Sequence, residues 1–227
     1  MDDFLAFSSK AEDQQDEAGT AAERAAPALV TTTPPPWLIY NPTLYDLYAP
    51  PLIRLHNEIL TCCEYIAPTM SELKHRDIVL NEIASIISLL WPQSKVLVFG
   101  SQMTKILTPT SDLDIAVLNV VDDKMDQSQL LYQLADKLKD SGLVSYVEAI
   151  VHAKVPIVKC DHRRSQLSVD ICINNDSGIR TGQLIRKFVR EYPPLRPLVL
   201  ILKVFLVRLS TTVLLATTDC ELICSLP

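Results

Sequence analysis

Two aspartates, Asp112 and Asp114, alternate with apolar residues in the segment SDLDIAVL at positions 111–118. The alternation predicts a β-strand over residues 112–118, in which both carboxylates project from one face with Cα atoms ~6.6 Å apart. Carboxylates this close repel each other, and a divalent cation between them removes the repulsion. Because oxygen is the only donor, we expect Mg²⁺ or Mn²⁺ rather than zinc.

A third carboxylate, that of Asp170, lies in a second predicted strand, QLSVDICI at positions 166–173. The apolar residues at 167, 169, 171 and 173 share one face of this strand, and Asp170 lies on the other face. If this strand lies beside that of Asp112, the three carboxylates meet. Such a set can hold two metal ions for phosphoryl transfer, and Asp170 would then help to activate the attacking hydroxyl.

A glycine and a serine, Gly100 and Ser101, follow the predicted buried strand KVLVF at 95–99. We expect a short helix over 102–107, so that its first N–H groups and the Ser101 hydroxyl point together toward an anionic phosphate chain. Glycine would let the phosphate come close. A turn containing Ser111 then leads into the aspartate strand.

The remaining periodicity predicts an α+β chain with a mixed sheet flanked by helices. Ser71 is a candidate N-cap for the second helix, and Arg76 is interpreted as a surface or helix-packing residue without chemistry. His162 flanks a loop and is expected to be exposed rather than catalytic. The expected helices cover 51–66, 71–90, 126–140, 178–190 and 195–208, and further strands cover 145–151 and 155–160.

Taken together, these motifs resemble the polymerase-β-like nucleotidyltransferases, whose signature is Gly-Ser, a spacer, Ser-Asp-Leu-Asp and a later strand with one aspartate. The similarity extends to the non-canonical poly(A) polymerases of the nuclear TRAMP type and covers roughly residues 36–208. The further segments that carry it are PW at 36–37, LHNEI at 55–59, YIAPT at 65–69, LWP at 90–92, AKVPIVK at 153–159 and LRPLVLILK at 195–203.

This resemblance implies a nucleotidyltransferase palm followed by part of a helical central domain. The activity it implies is the addition of AMP from ATP to RNA 3′ ends. Asp112, Asp114 and Asp170 would bind two Mg²⁺ or Mn²⁺ ions. The nucleotide would contact Gly100, Ser101, Ser111, Ser177 and Lys203, with Lys203 at the β- and γ-phosphates. The resemblance also implies a nuclear location, with a zinc-knuckle RNA-binding protein and an RNA helicase as partners.

The domain division expected from the resemblance has five parts. An acidic, disordered tail covers residues 1–36, and bracing helices cover 37–90. The palm covers 91–177, the start of a truncated central domain covers 178–208, and an atypical tail covers 209–227. We hypothesise that this last tail derives from an alternative or misannotated exon end.

Two more departures from the family fall near the expected site. Thr104-Lys105 stands where relatives usually have Thr-Gly, so the short helix could differ or gain positive charge. Ser177-Gly178 stands where they have Asn-Gly, and that asparagine is expected to help hold the nucleotide ribose. Ser177 would replace it only in part.

Charge and cysteine content narrow the function classes. The net charge is −6, but residues 1–36 alone contribute −5, whereas residues 159–208 carry a net +6. That is a modest basic footprint for nucleic acid or triphosphate, with a solvated helix face as the plainer alternative. The six cysteines lack a zinc-binding spacing and are expected to be reduced. The basic start and long apolar run of a secretory signal are not recognisable, so we expect the chain to stay in the cytosol or the nucleus. Lys203 and Arg208 argue against a membrane span over 195–217.

Two other functions remain open at this point. A chain without the base-binding part of the family could be a catalytically inactive fragment that acts as a binding or decoy protein. A nucleotidyltransferase acting on a small molecule is the third hypothesis, and the long similarity outside the three aspartates disfavours it.

Overall fold

The computed structural model describes residues 35–40, 49–121 and 126–216. Most of the predicted acidic tail, together with Cys220 and Cys224, lies outside these residues. The elements, in chain order, are α1 (Pro36–Tyr40), α2 (Pro51–Tyr65), α3 (Met70–Leu90), β1 (Lys95–Val98), α4 (Gly100–Thr104), β2 (Leu113–Leu118), α5 (Gln127–Asp140), β3 (Val144–Ile150), β4 (Ile157–His162), β5 (Ser168–Ile173), α6 (Ser177–Glu191) and α7 (Leu195–Ala216).

The strands form one mixed sheet in the order β1-β2-β5-β4-β3. β2 and β5 are parallel neighbours at its centre, and the other pairs are antiparallel. Helix α5 and strands β3 and β4 separate β2 from β5 in sequence, as a parallel pair requires a crossover connection. The predicted α+β class, with a mixed sheet flanked by helices, is therefore confirmed.

The main core lies on one face of this sheet, under α3 and α5. Leu113, Ile115 and Val117 of β2 point into it, as do Val169, Ile171 and Ile173 of β5, and all six are fully buried. Because side chains alternate along a strand, the residues between them point to the opposite face. The apolar core thus fixes which way Asp112, Asp114 and Asp170 project.

A second apolar cluster joins α2, α6 and α7. Its buried members are Cys62, Cys63, Ile66, Ile106 and Leu200. Ile106 belongs to the loop between α4 and β2, so this cluster ties the helical layer to the loop that leads into the aspartate strand. Cys62, Cys63, Cys160 and Cys172 are buried and form no disulfide among the described residues.

Several element bounds differ from the sequence predictions. The short helix begins at Gly100 rather than 102, and it ends at Thr104 because Lys105 adopts a left-handed conformation with φ 65°. Lys105 occupies the position after a helix where glycine is usual. The replacement of the family's Thr-Gly by Thr104-Lys105 therefore affects the end of α4 rather than its start. At the other end of the chain, α7 continues past residue 208 to Ala216.

His162 was wrongly predicted to be exposed, since only 3% of its surface is accessible. Its Nε2 lies 2.9 Å from Glu82 Oε2 and its Nδ1 lies 2.8 Å from Ser165 Oγ. Two polar partners on either side let the imidazole be buried, and the contacts fasten the β4–β5 turn to α3. In the part of the chain that the structure describes, no helix has the length and apolar character of a membrane span.

The cap of α3 corrects the prediction at Ser71. Thr69 is the N-cap, because its hydroxyl accepts from the Glu72 N–H while Glu72 Oε2 accepts from the Thr69 N–H. We expect Thr69→Ala to lower the free energy of unfolding by about 1 kcal/mol, since it leaves the first turn without its cap. Ser71→Ala is the matched control and should change little. Urea unfolding followed by circular dichroism measures both, and equal losses would contradict the assignment.

Candidate active site

The three aspartates of the sequence prediction lie together at one end of the β2–β5 pair. Asp112 immediately precedes β2, and Asp114 is the second residue of the strand. In the parallel register, Asp114 is paired with Asp170 of β5, so the two backbones lie at the usual interstrand spacing of ~4.8 Å. The predicted juxtaposition is therefore present, and it depends on the pairing of two strands that are distant in sequence.

Gly100 lies directly against this cluster. Its φ is +61°, and a Cβ at this position would lie 1.9 Å from Asp114 Oδ2. The Ser101 N–H donates to the Asp114 carboxylate and favours its charged form. Glycine is therefore required here both by the left-handed backbone and by the close approach of a carboxylate. Because the short helix begins at Gly100, the Ser101 N–H is among its first N–H groups, and it is bound to Asp114 rather than directed toward a phosphate.

Two lysine ammonium groups approach the cluster from different elements. Lys159 Nζ, on β4, lies 3.6 Å from Asp170 Oδ1 and 3.9 Å from Asp112 Oδ2. Lys203 Nζ, on α7, donates to the Ile106 carbonyl at 3.1 Å and to the Ser111 hydroxyl at 3.3 Å. These cations reduce the mutual repulsion of the carboxylates.

Ser111 is used to build the turn before β2. Its hydroxyl accepts from the Thr108 N–H at 3.0 Å and lies 2.8 Å from the Thr108 hydroxyl. With Lys203 as a further partner, the hydroxyl is already well satisfied. Ser111 therefore positions Asp112 and Lys203 relative to one another, and a nucleotide contact at Ser111 stays a prediction.

Burial and the crowding of the carboxylates raise the pKa values of two aspartates, Asp114 and Asp170. Burial, followed by the charges of Asp170 and Asp112, raises the pKa of Asp114 to about 6. Burial also raises the pKa of Asp170, although Lys159 opposes the shift. Asp170 Oδ1 is buried and accepts no hydrogen bond from the residues that the structure describes, and the 3.6 Å ion pair with Lys159 compensates its charge.

A divalent cation fits this donor set. Three carboxylates offer only hard oxygen ligands, which Mg²⁺ and Mn²⁺ prefer, and Asp170 Oδ1 is an unsatisfied acceptor. No group of three His, Cys, Asp or Glu side chains in the described ranges is already arranged to hold a metal ion. The three aspartates therefore have the right chemical type for a metal ion, and their side chains must shift locally before they can bind one together.

Arg76 is a site residue that sequence reasoning missed. Only 4% of its surface is accessible, and from α3 its guanidinium donates to the carbonyls of Ser111 and Asp112, the latter at 3.3 Å. Burial lowers the pKa of Arg76, and the charges of Glu72, Asp112 and Asp114 oppose the shift. Arg76 thus anchors the backbone that presents Asp112. The signal for this role in the sequence was the helical spacing of Arg76 from the apolar residues Val79 and Ile83, which places an arginine on the buried face of α3.

Ser177 opens α6 at the side of the site. Its N–H and hydroxyl both donate to Asn175 Oδ1, at 2.9 and 2.6 Å. Beside it, a Cβ on Gly178 would come within 2.6 Å of the Phe99 ring. The glycine therefore allows the start of α6 to pack on the residue before Gly100, and the role of Ser177 toward a ribose stays a prediction.

A cavity of about 620 Å³ with both polar and apolar lining residues lies beside Arg76, between α3 and the β4–β5 turn. Glu72, Arg76, Thr108, His162 and Arg164 are among its lining residues. None of the three aspartates lines it, so the cavity adjoins the carboxylate cluster without containing it. The chemistry of the site therefore lies with the aspartates, outside this cavity.

Comparison with known proteins places this geometry in context. Residues 55–190, more than half of the chain, match the family model described as the central palm domain of the mitochondrial-like poly(A) RNA polymerases. The chain is 38% identical over 152 residues to poly(A) RNA polymerase protein 1 of Saccharomyces cerevisiae, which covers 67% of this chain and 24% of the relative. It thus spans about a quarter of the length of that curated relative.

Two further proteins are similar. The inactive non-canonical poly(A) RNA polymerase protein Trf4-2 of Drosophila melanogaster is 33% identical over 174 residues, which cover 75% of this chain and 42% of that protein. The solved polymerase core of TRAMP, described as an RNA surveillance complex, matches with a TM-score of 0.65 and 32% identity, and the match covers 75% of this chain and 52% of that one.

The buried contacts of Arg76 lead to the first prediction for the site. Arg76→Met should lower the free energy of unfolding by about 2 kcal/mol, because it removes a buried guanidinium that bonds the partly buried Ser111 and Asp112 carbonyls. Lys74→Met, an exposed change on the same helix, is the control. Urea unfolding compares the two variants with the parent chain, and equal stability of both variants would contradict the role given to Arg76.

The raised pKa of Asp114 predicts a pH dependence of the metal-free chain. Above pH 4 an unfolded aspartate is ionised, whereas folded Asp114 holds its proton up to about pH 6. Stability in EDTA should therefore fall as the pH rises from 4 to 6, by roughly 1–2 kcal/mol after allowance for solvent screening. Asp114→Asn should show a shallower fall, because Asp170 alone then contributes. Parallel pH profiles of both chains would refute the assignment.

Proposed function

The chain belongs to the poly(A) RNA polymerases of the nucleotidyltransferase family, and on that premise we propose that it adds AMP from ATP to RNA 3′ ends. The observation that carries the proposal is the pairing of Asp114 with Asp170 beside Gly100 and Ser101. This arrangement places three carboxylates next to a backbone turn that can approach Asp114 only because residue 100 lacks a Cβ.

Asp112, Asp114 and Asp170 would hold two Mg²⁺ or Mn²⁺ ions. When bound, such ions neutralise charge on the triphosphate and on the leaving pyrophosphate. The side chains of the protein supply orientation and proton transfer. In the reaction, the bond between the RNA 3′-oxygen and the α-phosphorus forms as the bond to pyrophosphate breaks, and Asp170 Oδ1 is available to take the hydroxyl proton because it accepts no hydrogen bond.

Lys203 and Arg76 act in different ways in this proposal. Lys203 lies within reach of Ser111 and carries a point charge suited to a β- or γ-phosphate. The guanidinium of Arg76 is engaged by the Ser111 and Asp112 carbonyls, so we assign it no contact with the reacting groups. Arg76 is a positioning residue, and it keeps Asp112 in place directly before the start of β2.

The proposal extends to the setting of the reaction. We place the chain in the nucleus, with a zinc-knuckle RNA-binding protein and an RNA helicase as partners. The support is its similarity to the polymerase core of TRAMP, described as an RNA surveillance complex, together with the family resemblance.

A second candidate is a chain that binds nucleotide or a protein partner without catalysis. Large apolar side chains are exposed on the outer helices: Leu184 and Phe188 on α6, and Leu198, Leu202 and Phe205 on α7. Apolar patches of this kind mark interaction surfaces. One relative, the Drosophila protein, is itself named inactive.

Primer extension by the purified full chain separates the two candidates. Oligoadenylate RNA, Mg²⁺ or Mn²⁺ and each nucleoside triphosphate are supplied in turn, and we expect extension with ATP. Asp112→Ala/Asp114→Ala should reduce the rate by about 10²-fold or more, since both changes remove carboxylates from the reacting centre. Asp136→Ala, on the exposed side of α5, should leave it unchanged.

Two other outcomes would decide against the proposal. Absence of extension in the parent chain, together with retained binding of a fluorescent ATP analogue, would support the non-catalytic candidate. Transfer of AMP to a small hydroxyl or amine acceptor in place of RNA would assign the chain to the small-molecule nucleotidyltransferases.

A further inference from the structure

Lys159 occupies an unusual position in the carboxylate cluster. On β4 it is directly paired with Asp170 of β5, so the two side chains project from the same face of the sheet. Its ammonium lies close to two carboxylates, 3.6 Å from Asp170 Oδ1 and 3.9 Å from Asp112 Oδ2. No other hydrogen-bond partner satisfies Asp170 Oδ1.

A divalent cation shared by Asp112 and Asp170 would lie close to the same ammonium. The two positive charges would repel at a few ångströms. The described residues offer no ready-made group of three metal ligands, although all three aspartates are adjacent. The arrangement seen here is consistent with a site in which the lysine holds the place of a metal ion.

Lys159 also has a second acidic neighbour. On its other side, in the antiparallel register of β3 and β4, its direct partner is Glu148. Directly opposed residues point to the same face with Cβ atoms only ~5 Å apart. Glu148 is exposed and accepts a hydrogen bond from the Tyr146 hydroxyl. With 38% of its side chain accessible, Lys159 has room to turn from Asp170 toward Glu148.

We propose that Lys159 is a built-in counter-cation that holds Asp112 and Asp170 together in the metal-free chain and exchanges to Glu148 when a divalent cation binds. The inference rests on the metal dependence of the proposed function. It adds that the metal competes with a residue of the protein itself, so that Lys159 sets the affinity of the site for the metal.

Direct Mn²⁺ binding tests the competition without reference to activity. The full chain, purified free of metal, is titrated with Mn²⁺, and the electron paramagnetic resonance signal of free Mn²⁺ reports the bound fraction. Lys159→Met should bind Mn²⁺ about tenfold more tightly than the parent chain, since it removes a competing unit charge from a partly screened site. Lys154→Met, an exposed change in the loop before β4, should bind like the parent.

Thermal unfolding in EDTA gives a second and independent readout. Without metal, Lys159→Met should unfold at a lower temperature than the parent, because Asp112 and Asp170 then face each other uncompensated. Lys159→Gln, which keeps a donor but no charge, is used in the same two measurements if Lys159→Met shows no cooperative transition. Glu148→Gln should weaken Mn²⁺ binding about threefold, because the displaced ammonium loses its acceptor.

The possible results separate this inference from the proposed function. Unchanged or weaker Mn²⁺ affinity in Lys159→Met, with normal binding by the parent chain, overturns the competition alone. Unchanged affinity in Glu148→Gln overturns the exchange to Glu148. If neither the parent nor any variant binds Mn²⁺, the inference and the metal dependence of the proposed function fail together.

Discussion

The site depends on one constraint, the parallel pairing of β2 with β5 in the register that sets Asp114 beside Asp170. Hydrophobic burial imposes this register, because Leu113 and Ile115 must share a face with Val169 and Ile171. The same alternation forces the aspartates together on the other face, where they repel. The energy gained by burying one face of the sheet is therefore used to hold like charges in contact on the other. Lys159, Lys203 and the Ser101 N–H are the compensations that the fold provides.

Patterns of short range were readable in the sequence. Alternation in SDLDIAVL and QLSVDICI was sufficient to predict both strands and the face on which Asp112, Asp114 and Asp170 lie. The sequence predicted that the three aspartates meet only on the condition that the two strands are neighbours, because strand order depends on the whole sheet. The bounds of α4 were missed because the end of the helix depends on a left-handed residue, and Lys105 is not a residue type that announces one.

Contacts over long range explain what the sequence did not indicate. Arg76 and Ser111 are linked across 35 positions and Lys203 and Ser111 across 92. His162 bonds to Glu82 over 80 positions. In the sequence Ser111 looks like an ordinary turn residue, and the other residues look like ordinary polar side chains on a helix or at a strand end. Their burial becomes evident only when the partner's element is placed, and polar burial of this kind is what distinguishes a structural anchor from a solvated charge.

The position of Lys203 has a consequence for how the chain is made. Strand β2, with Asp112 and Asp114, leaves the ribosome about ninety residues before the helix that supplies Lys203. Once β5 has also been synthesised, the nascent palm can form its sheet, yet Lys203 is not there to compensate its carboxylates. Until α7 emerges, the acidic end of β2 depends on hydration or on cations from the surrounding solution. The active site cannot be completed before α7 has been synthesised.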